Sequence, residues 1–345
     1  MKWHAMLLAV CLALGCAPAP NAEREPAGAP EAARFTGVTM GTTYEVCIAR
    51  LPVGVELPRL QRTVDEVIQS IDARMSTYVP HSELSRFNAT ASTDWFPVSH
   101  ETHEVVELSR AVSSATGGAF DVTVGPLVEL WGFGPSGPRS GLPTDVELAE
   151  RRAYVGFELL ETGESPPALR KRDARLTVDL SAVAKGFAVD AVARHLEGEG
   201  VEHYLVEIGG ELRARGESPR GRAWRVAIEA PGAGGESLLR TVQLKVGGLA
   251  TSGDYRRRYE HDGRRYAHIL DPRTGRPAIH EIASATVLAP TTAEADAYAT
   301  ALAVLHPDAV RELALRRDMS VRIVWRTADG FAEWLSPRFA AELVP

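Results

Sequence analysis

The sequence predicts an α+β fold: mixed, largely antiparallel sheets with packed helices, in one large domain or two intertwined lobes. Three observations predict it. Strand-like segments cluster in the second half of the chain and are joined by Gly- and Pro-rich turns, the pattern of hairpins. Helical periodicity comes at intervals and not after every strand, which argues against a doubly wound sheet. A chain of 345 residues, 45% hydrophobic and 24% charged, can also bury a substantial core.

The elements follow in order. "MKWHAMLLAVCLALGCAPAP" opens with a basic residue, Lys2, and an apolar run from Met6 to Leu14 that is too short to span a bilayer. "LALGC" resembles a bacterial lipoprotein cleavage box, with Ala13 where that box usually has leucine. Residues 1–16 are therefore expected to be a signal ending at a lipidated Cys16, with plain secretion as the alternative, residues 17–33 a Pro-, Ala- and Glu-containing tether, and residues 34–345 the folded domain. This places the chain on the periplasmic side of a bacterial membrane, held by lipid. One cysteine, Cys47, would remain in the mature chain, too few for a thiolate metal site.

"TTYEVCIAR" reads as a first strand. Leu57, Leu60, Val64, Val67, Ile68 and Ile71 recur at helical spacing between Glu56 and Met75. A second helix is predicted from about Thr102 to Ala115, stopped by Gly117-Gly118. "RLTVDLSAV" is strand-like and "KGFAVDAVARHLEGEG" helical; "HYLVEIGGEL", "AWRVAIEA", "TVQLKV", "RRYAHIL" and "IASATVLA" read as strands. Thr291 with Glu294 forms a capping box opening the helix "TAEADAYATAL", and a helix near Asp308–Arg316 and the strands "VRIVW" and "FAEWL" finish the chain. There is no internal repeat.

The formal net charge of −7 argues against a nucleic-acid partner. The basic run Arg256, Arg257, Arg258 with Arg264 and Arg265 is the local exception and reads as a solvated strand face. No Walker loop, GxGxxG, HExxH or nucleophile elbow is present.

What remains is a set of polar residues on short glycine turns. Asp296 sits among alanines with Thr300 one turn later on the same helix face. A lone buried carboxylate costs several kcal/mol, so a basic side chain or a metal must stand opposite. In "TGGAFDVTVGPL" the paired glycines allow close backbone approach to a ligand, and Asp121 is a second carboxylate or a cap. In "VDLSAVAKGFAVD" Asp179 ends a strand and Lys185 opens a helix, where a cation opposes the macrodipole; an anionic ligand, or a salt bridge to Asp179 or Asp296, accounts for it. In "HILDPRTGRP" a tight turn follows His268, which is structural or faces a cleft.

Taken in order, "MGTTYEV", "MSTYVPHSELSRFN", "TGGAFDVTVGPLVELWGFG", "DLSAVAKGFAVD", "LVEIGGEL", "ATSGDYRR", "HILDPRTG" and "EADAYATAL" resemble the FAD:protein FMN transferases, the ApbE-like flavin transferases, from about Met40 to Leu305. The resemblance implies an elongated FAD pocket, two intertwined lobes forming one catalytic unit, and Mg²⁺ on the pyrophosphate. It implies FMN transfer to a threonine or serine hydroxyl of extracytoplasmic flavoproteins, such as membrane redox-pump subunits, with release of AMP. It assigns Met40, Tyr78, Ala119, Phe120, Asp121, Asp179, Lys185 and Ile269 to FAD, and Asp296, Thr300 and the carbonyl of Ala182 to the metal. Lys185 would draw charge from the phosphates, and His268 would assist proton removal from the acceptor, with Asp296 or Asp179 as alternatives.

Two positions depart from the family pattern. Ala182 stands where relatives often carry Gly, Ser or Thr, which leaves a carbonyl ligand but no hydroxyl. Glu207 replaces a common asparagine on the adenine side. Two rival activities stay open at this point: an FAD pyrophosphatase using water as acceptor, and a non-catalytic FAD-binding lipoprotein.

Overall fold

The computed structural model describes residues 32–229, 239–253, 258–261, 264–278 and 282–344, and for 258–261 and 264–265 the backbone only. The signal, Cys16, most of the tether and the side chains of the arginine run lie outside the described residues.

In chain order the first elements are β1 (Ala33–Thr39), β2 (Thr42–Ile48), α1 (Leu57–Met75), α2 (Glu83–Ala89), β3 (Phe96–Pro97), α3 (His100–Ala115), α4 (Gly125–Leu130) and α5 (Asp145–Arg152). Then come β4 (Leu160–Glu164), β5 (Pro167–Lys171), α6 (Ala184–Gly198), β6 (Tyr204–Ile208), β7 (Glu211–Arg215), β8 (Trp224–Ile228), β9 (Arg240–Leu244) and β10 (Val246–Gly253). The last are β11 (Arg258–His261), β12 (Arg264–Ala267), β13 (Leu270–Asp271), β14 (Arg276–Pro277), β15 (Ile282–Ala289), α7 (Thr292–Val304), α8 (Pro307–Arg316), β16 (Ser320–Thr327), β17 (Gly330–Leu335) and α9 (Pro337–Ala341).

The spine is an eight-stranded antiparallel sheet, β1-β2-β6-β7-β10-β15-β16-β17. The predicted α+β class is what the chain adopts. One face packs on α1, α3, α6 and α7 in the largest core. The other is covered by the β8–β9 ribbon and α9, where Trp224, Val226, Val242 and Phe339 meet Cys47, Leu205 and Leu249 of the sheet. A smaller cluster of Leu127, Trp131, Leu148 and Leu270 ties α4 and α5 to β13.

α7 is buried nearly all round, so its carboxylate is enclosed. Small residues let it approach its neighbours. A Cβ on Gly186 of α6 would stand 2.5 Å from the Thr292 carbonyl oxygen, and one on Gly248 of β10 would stand 2.5 Å from Thr292 Cα. Asp190 of α6, buried and paired to Arg213 at 2.8 Å, accepts the N–H groups of Thr292 and Ala293 at 3.0 and 2.9 Å. The Thr291 hydroxyl accepts from Glu294 N at 3.2 Å, the half of the predicted capping box that forms.

One strand prediction is corrected. "RLTVDLSAV" keeps the alternation of a strand, with Leu176, Val178 and Leu180 buried, but joins no sheet. A side chain replaces the ladder: Asn88 Nδ2 donates to Val178 O and Val178 N donates to Asn88 Oδ1, both at 2.8 Å. Asp179 N then donates to Val122 O at 2.7 Å.

Candidate functional site

Four of the predicted residues, Met40, Lys185, Asp296 and Thr300, lie at one end of the spine. Met40 and Gly41 turn β1 into β2, with Met40 at φ 46° and its side chain half-buried against the main core. At the same end Gly209 N donates to Thr43 O at 3.1 Å, which sets the β6–β7 turn beside the β1–β2 turn. In that turn Gly210 N donates to the Glu207 carboxylate, so Glu207 is engaged by the backbone of its own turn.

β7 begins there with Glu211, which is 3% exposed. Its Oε1 lies 3.5 Å from Lys185 Nζ, and Lys185 Nζ lies 3.9 Å from Asp296 Oδ2. The salt-bridge reading of Lys185 therefore has a second carboxylate that sequence reasoning missed. Asp296 is 2% exposed and accepts Gly186 N at Oδ2, 3.1 Å away. α6 has no side-chain cap of its own, so the carboxylate of α7 serves the positive end of α6. Both contacts use Oδ2 and leave Oδ1 for a further ligand.

Thr300 Oγ1 shares a hydrogen bond of 3.0 Å with Ser252 Oγ of β10. If Thr300 is the donor, its lone pairs stay available to a cation. Ala182 lies in the turn just before α6. A carboxylate, a hydroxyl and a carbonyl form an oxygen donor set, which suits a hard cation that completes its shell with phosphate and water. Among the described residues no three His, Cys, Asp or Glu side chains gather into a cluster that could hold a metal, so a zinc-type set is not offered there.

A second group of predicted residues lies on the glycine turn. Gly117 and Gly118 take φ of +60° and +76°, and a Cβ on Gly118 would come within 3.7 Å of Arg273 Cγ. The Asp-Pro-Arg-Thr-Gly turn thus leans on the Gly-Gly turn. Within it Asp271 accepts Arg273 N and Nε, both at 2.9 Å, while Trp131 Nε1 donates to Gly275 O at 2.8 Å. Ala119 and Phe120 turn their side chains into the main core, so what they can offer a ligand is main chain. Asp121 is a cap, accepting Thr123 N at 2.8 Å and Thr123 Oγ1 at 2.7 Å. Burial pushes its carboxyl up to about 6. Asp179 caps its own turn, accepting Ser181 N at 2.8 Å.

The third group is aromatic. Tyr78 is 55% exposed and donates from its hydroxyl to Phe133 O at 3.3 Å. The Phe133 ring meets the His268 ring edge-on, 6.4 Å between centroids. Ile269 beside it is buried, its carbonyl accepting Ala278 N at 2.9 Å. Sequence reasoning passed over Phe133, Ser252 and Asn88 as well as Glu211. All four lie inside the quoted motifs, but only the fold shows what each touches.

The chain is similar to known proteins over most of its length. The family model described as the ApbE family matches residues 40–325. A Vibrio cholerae protein named FAD:protein FMN transferase is 41% identical over 338 residues, covering 98% of each chain. The solved structure of the flavin transferase ApbE from Vibrio cholerae superposes with a TM-score of 0.85 at 42% identity, over 91% of this chain and 99% of that one. The apo flavinyl transferase ApbE of Pseudomonas stutzeri superposes with a TM-score of 0.83 at 38% identity, over 90% and 96%.

Proposed function

The chain belongs to the ApbE family, and from that membership we propose that it transfers FMN from FAD to a threonine or serine hydroxyl of another protein, releasing AMP, with Mg²⁺. The observation that carries this reading is Lys185 at the N-terminus of α6, between the buried carboxylates Glu211 and Asp296. Such a place offers an ammonium and a helix N-terminus to phosphates, and an open carboxylate oxygen to a metal.

In this reading Asp296, Thr300 and the Ala182 carbonyl would hold the metal, which would neutralise charge on the pyrophosphate. Lys185 draws charge from the same phosphate oxygens as the transition state forms. Met40, Tyr78 and the main chain of Ala119 and Phe120, with Asp121, Asp179 and Ile269, orient FAD. The acceptor oxygen forms a bond to the phosphorus on the FMN side, and the bond from that phosphorus to the bridging oxygen breaks, the oxygen departing with the electron pair as part of AMP. His268 takes the acceptor's proton; its ring meets that of Phe133, whose carbonyl accepts the Tyr78 hydroxyl.

The acceptors in this reading are extracytoplasmic flavoproteins such as membrane redox-pump subunits, reached from a lipid anchor at Cys16 on the periplasmic side of the membrane. Changing Cys16→Ser should release the protein or stall its processing; unchanged fractionation and migration would remove the anchor.

The test of the activity is incubation with FAD, Mg²⁺ and such a subunit, followed by mass spectrometry. The expected result is an FMN-bearing threonine or serine and one AMP per adduct. AMP and FMN in solution without adduct would make the protein a pyrophosphatase, and no turnover would make it an FAD carrier.

A further inference from the structure

The ladder that gathers the flavin site at one end of the spine also defines the opposite end. Ala33 pairs with Ile48, Ile48 with Tyr204, Tyr204 with Arg215 and Arg215 with Val246. The Met40 turn, the Gly209 turn and the Gly253 end of β10 close the other ends of those strands. The chain therefore enters the fold at Ala33, at the end away from the site.

A groove of about 460 Å³ follows the β8–β9 ribbon from that entry end, lined by Arg220, Arg222, Arg225 and Arg240 with Leu239 and Val344. Arg240 is engaged by Glu333 at 2.5 Å. Arg222 and Arg225 are in no ion pair among the described residues, and Lys245 stands exposed in the turn from β9 to β10. Acidic side chains are present too: Glu217 faces Arg50 at 4.0 Å, and Glu202 and Glu342 are exposed. Exposed apolar side chains lie among these charges, Val53 at 106%, Val246 at 69% and Leu239 at 52%.

We infer that this groove and the sheet end beside it rest on an anionic phospholipid surface, with the flavin site held at the far end toward acceptor proteins. The inference builds on the anchor reading, because a tether that enters at Ala33 brings this end of the sheet nearest the membrane. Basic side chains near anionic headgroups gain from the surface potential, and apolar side chains between them gain from the interface. On a chain with a formal charge of −7, Arg222, Arg225 and Lys245 at the tether's end have a placement that solubility does not require.

The test uses the chain beginning at residue 17, which keeps every residue of the three cores, since these begin at Ala33. It carries no lipid, so its result is independent of Cys16, which the fractionation of Cys16→Ser tests separately. Vesicles of phosphatidylcholine, with or without phosphatidylglycerol, are sedimented with the protein. The expected result is co-sedimentation only with phosphatidylglycerol, weakening as salt rises. Arg220→Glu, Arg222→Glu and Arg225→Glu together should weaken it roughly tenfold or more. Transfer of FMN to a soluble acceptor without vesicles should stay at the wild-type rate. Should the triple variant melt early, Arg222→Ala and Lys245→Ala singly carry the comparison. Equal binding to both vesicle types, no binding, or undiminished binding by the variants would overturn the inference. So would loss of lipid-free transfer with a wild-type melt, which would make the groove a protein-docking surface.

Discussion

Lys185 Nζ lies closer to Glu211 Oε1, at 3.5 Å, than to Asp296 Oδ2, at 3.9 Å. Glu211 thus draws the ammonium toward β7 and away from the carboxylate assigned to the metal. Replacing Glu211→Gln removes that pull and lets Lys185 close on Asp296, where it competes with a cation. The expected outcome is a several-fold higher Mg²⁺ concentration for half-maximal transfer, with the maximal rate largely recovered at saturating Mg²⁺. A magnesium titration of the transfer rate checks this; an unchanged midpoint would leave Glu211 no part in the metal's affinity.

Asn88 holds the Val178 peptide in both directions and so sets Asp179 against Val122. Asn88→Ala leaves a buried N–H and a buried carbonyl without this partner. The expected cost is about 2–4 kcal/mol of stability. FAD affinity should fall in parallel, because the segment bearing Asp179 loses its fixed position. Chemical denaturation and FAD titration on one preparation test both effects.

Asp121 gives a pH signature. Its folded-state value of about 6 lies above the ordinary 3.8, with burial as the main cause and the Thr123 hydrogen bonds opposing it. Folding therefore favours the protonated carboxyl. The stability from this group is fully present below about pH 4 and lost as pH rises through about 6. Asp121→Asn keeps an oxygen for Thr123 and abolishes that loss. The variant should be more stable than wild type near neutral pH, by up to about 3 kcal/mol, with the gap closing on acidification. Melting curves across that range in the absence of FAD decide it; parallel pH profiles would contradict it.

Much of this architecture was legible in the sequence because local signals agreed with tertiary ones. The helix Glu56–Met75 was predicted from its stripe, and Leu60, Val64, Ile68 and Ile71 are buried where that stripe puts them. The segment Arg175–Val183 misled because alternation reports burial and not pairing partner, and Asn88 supplies side-chain hydrogen bonds where a strand would supply backbone ones. β1 was missed because only Phe35 and Ala33 are buried on an edge strand that follows a tether-like composition. In the site, spacing predicted that Asp296 and Thr300 share a face, since both lie on one helix. It did not reveal Glu211 against Lys185 or Ser252 against Thr300, because those contacts join elements that only the sheet register brings together.

The central claim is that Asp296 holds a metal needed for transfer. Asparagine fills the same space without the charge, so Asp296→Asn separates a ligand from a structural ion-pair partner. A magnesium titration of FMN transfer, run beside a thermal melt, tests this most directly. The account predicts a wild-type melt with transfer reduced roughly a thousandfold or more and the magnesium response lost. A variant that melts early yet keeps the wild-type magnesium response would contradict it.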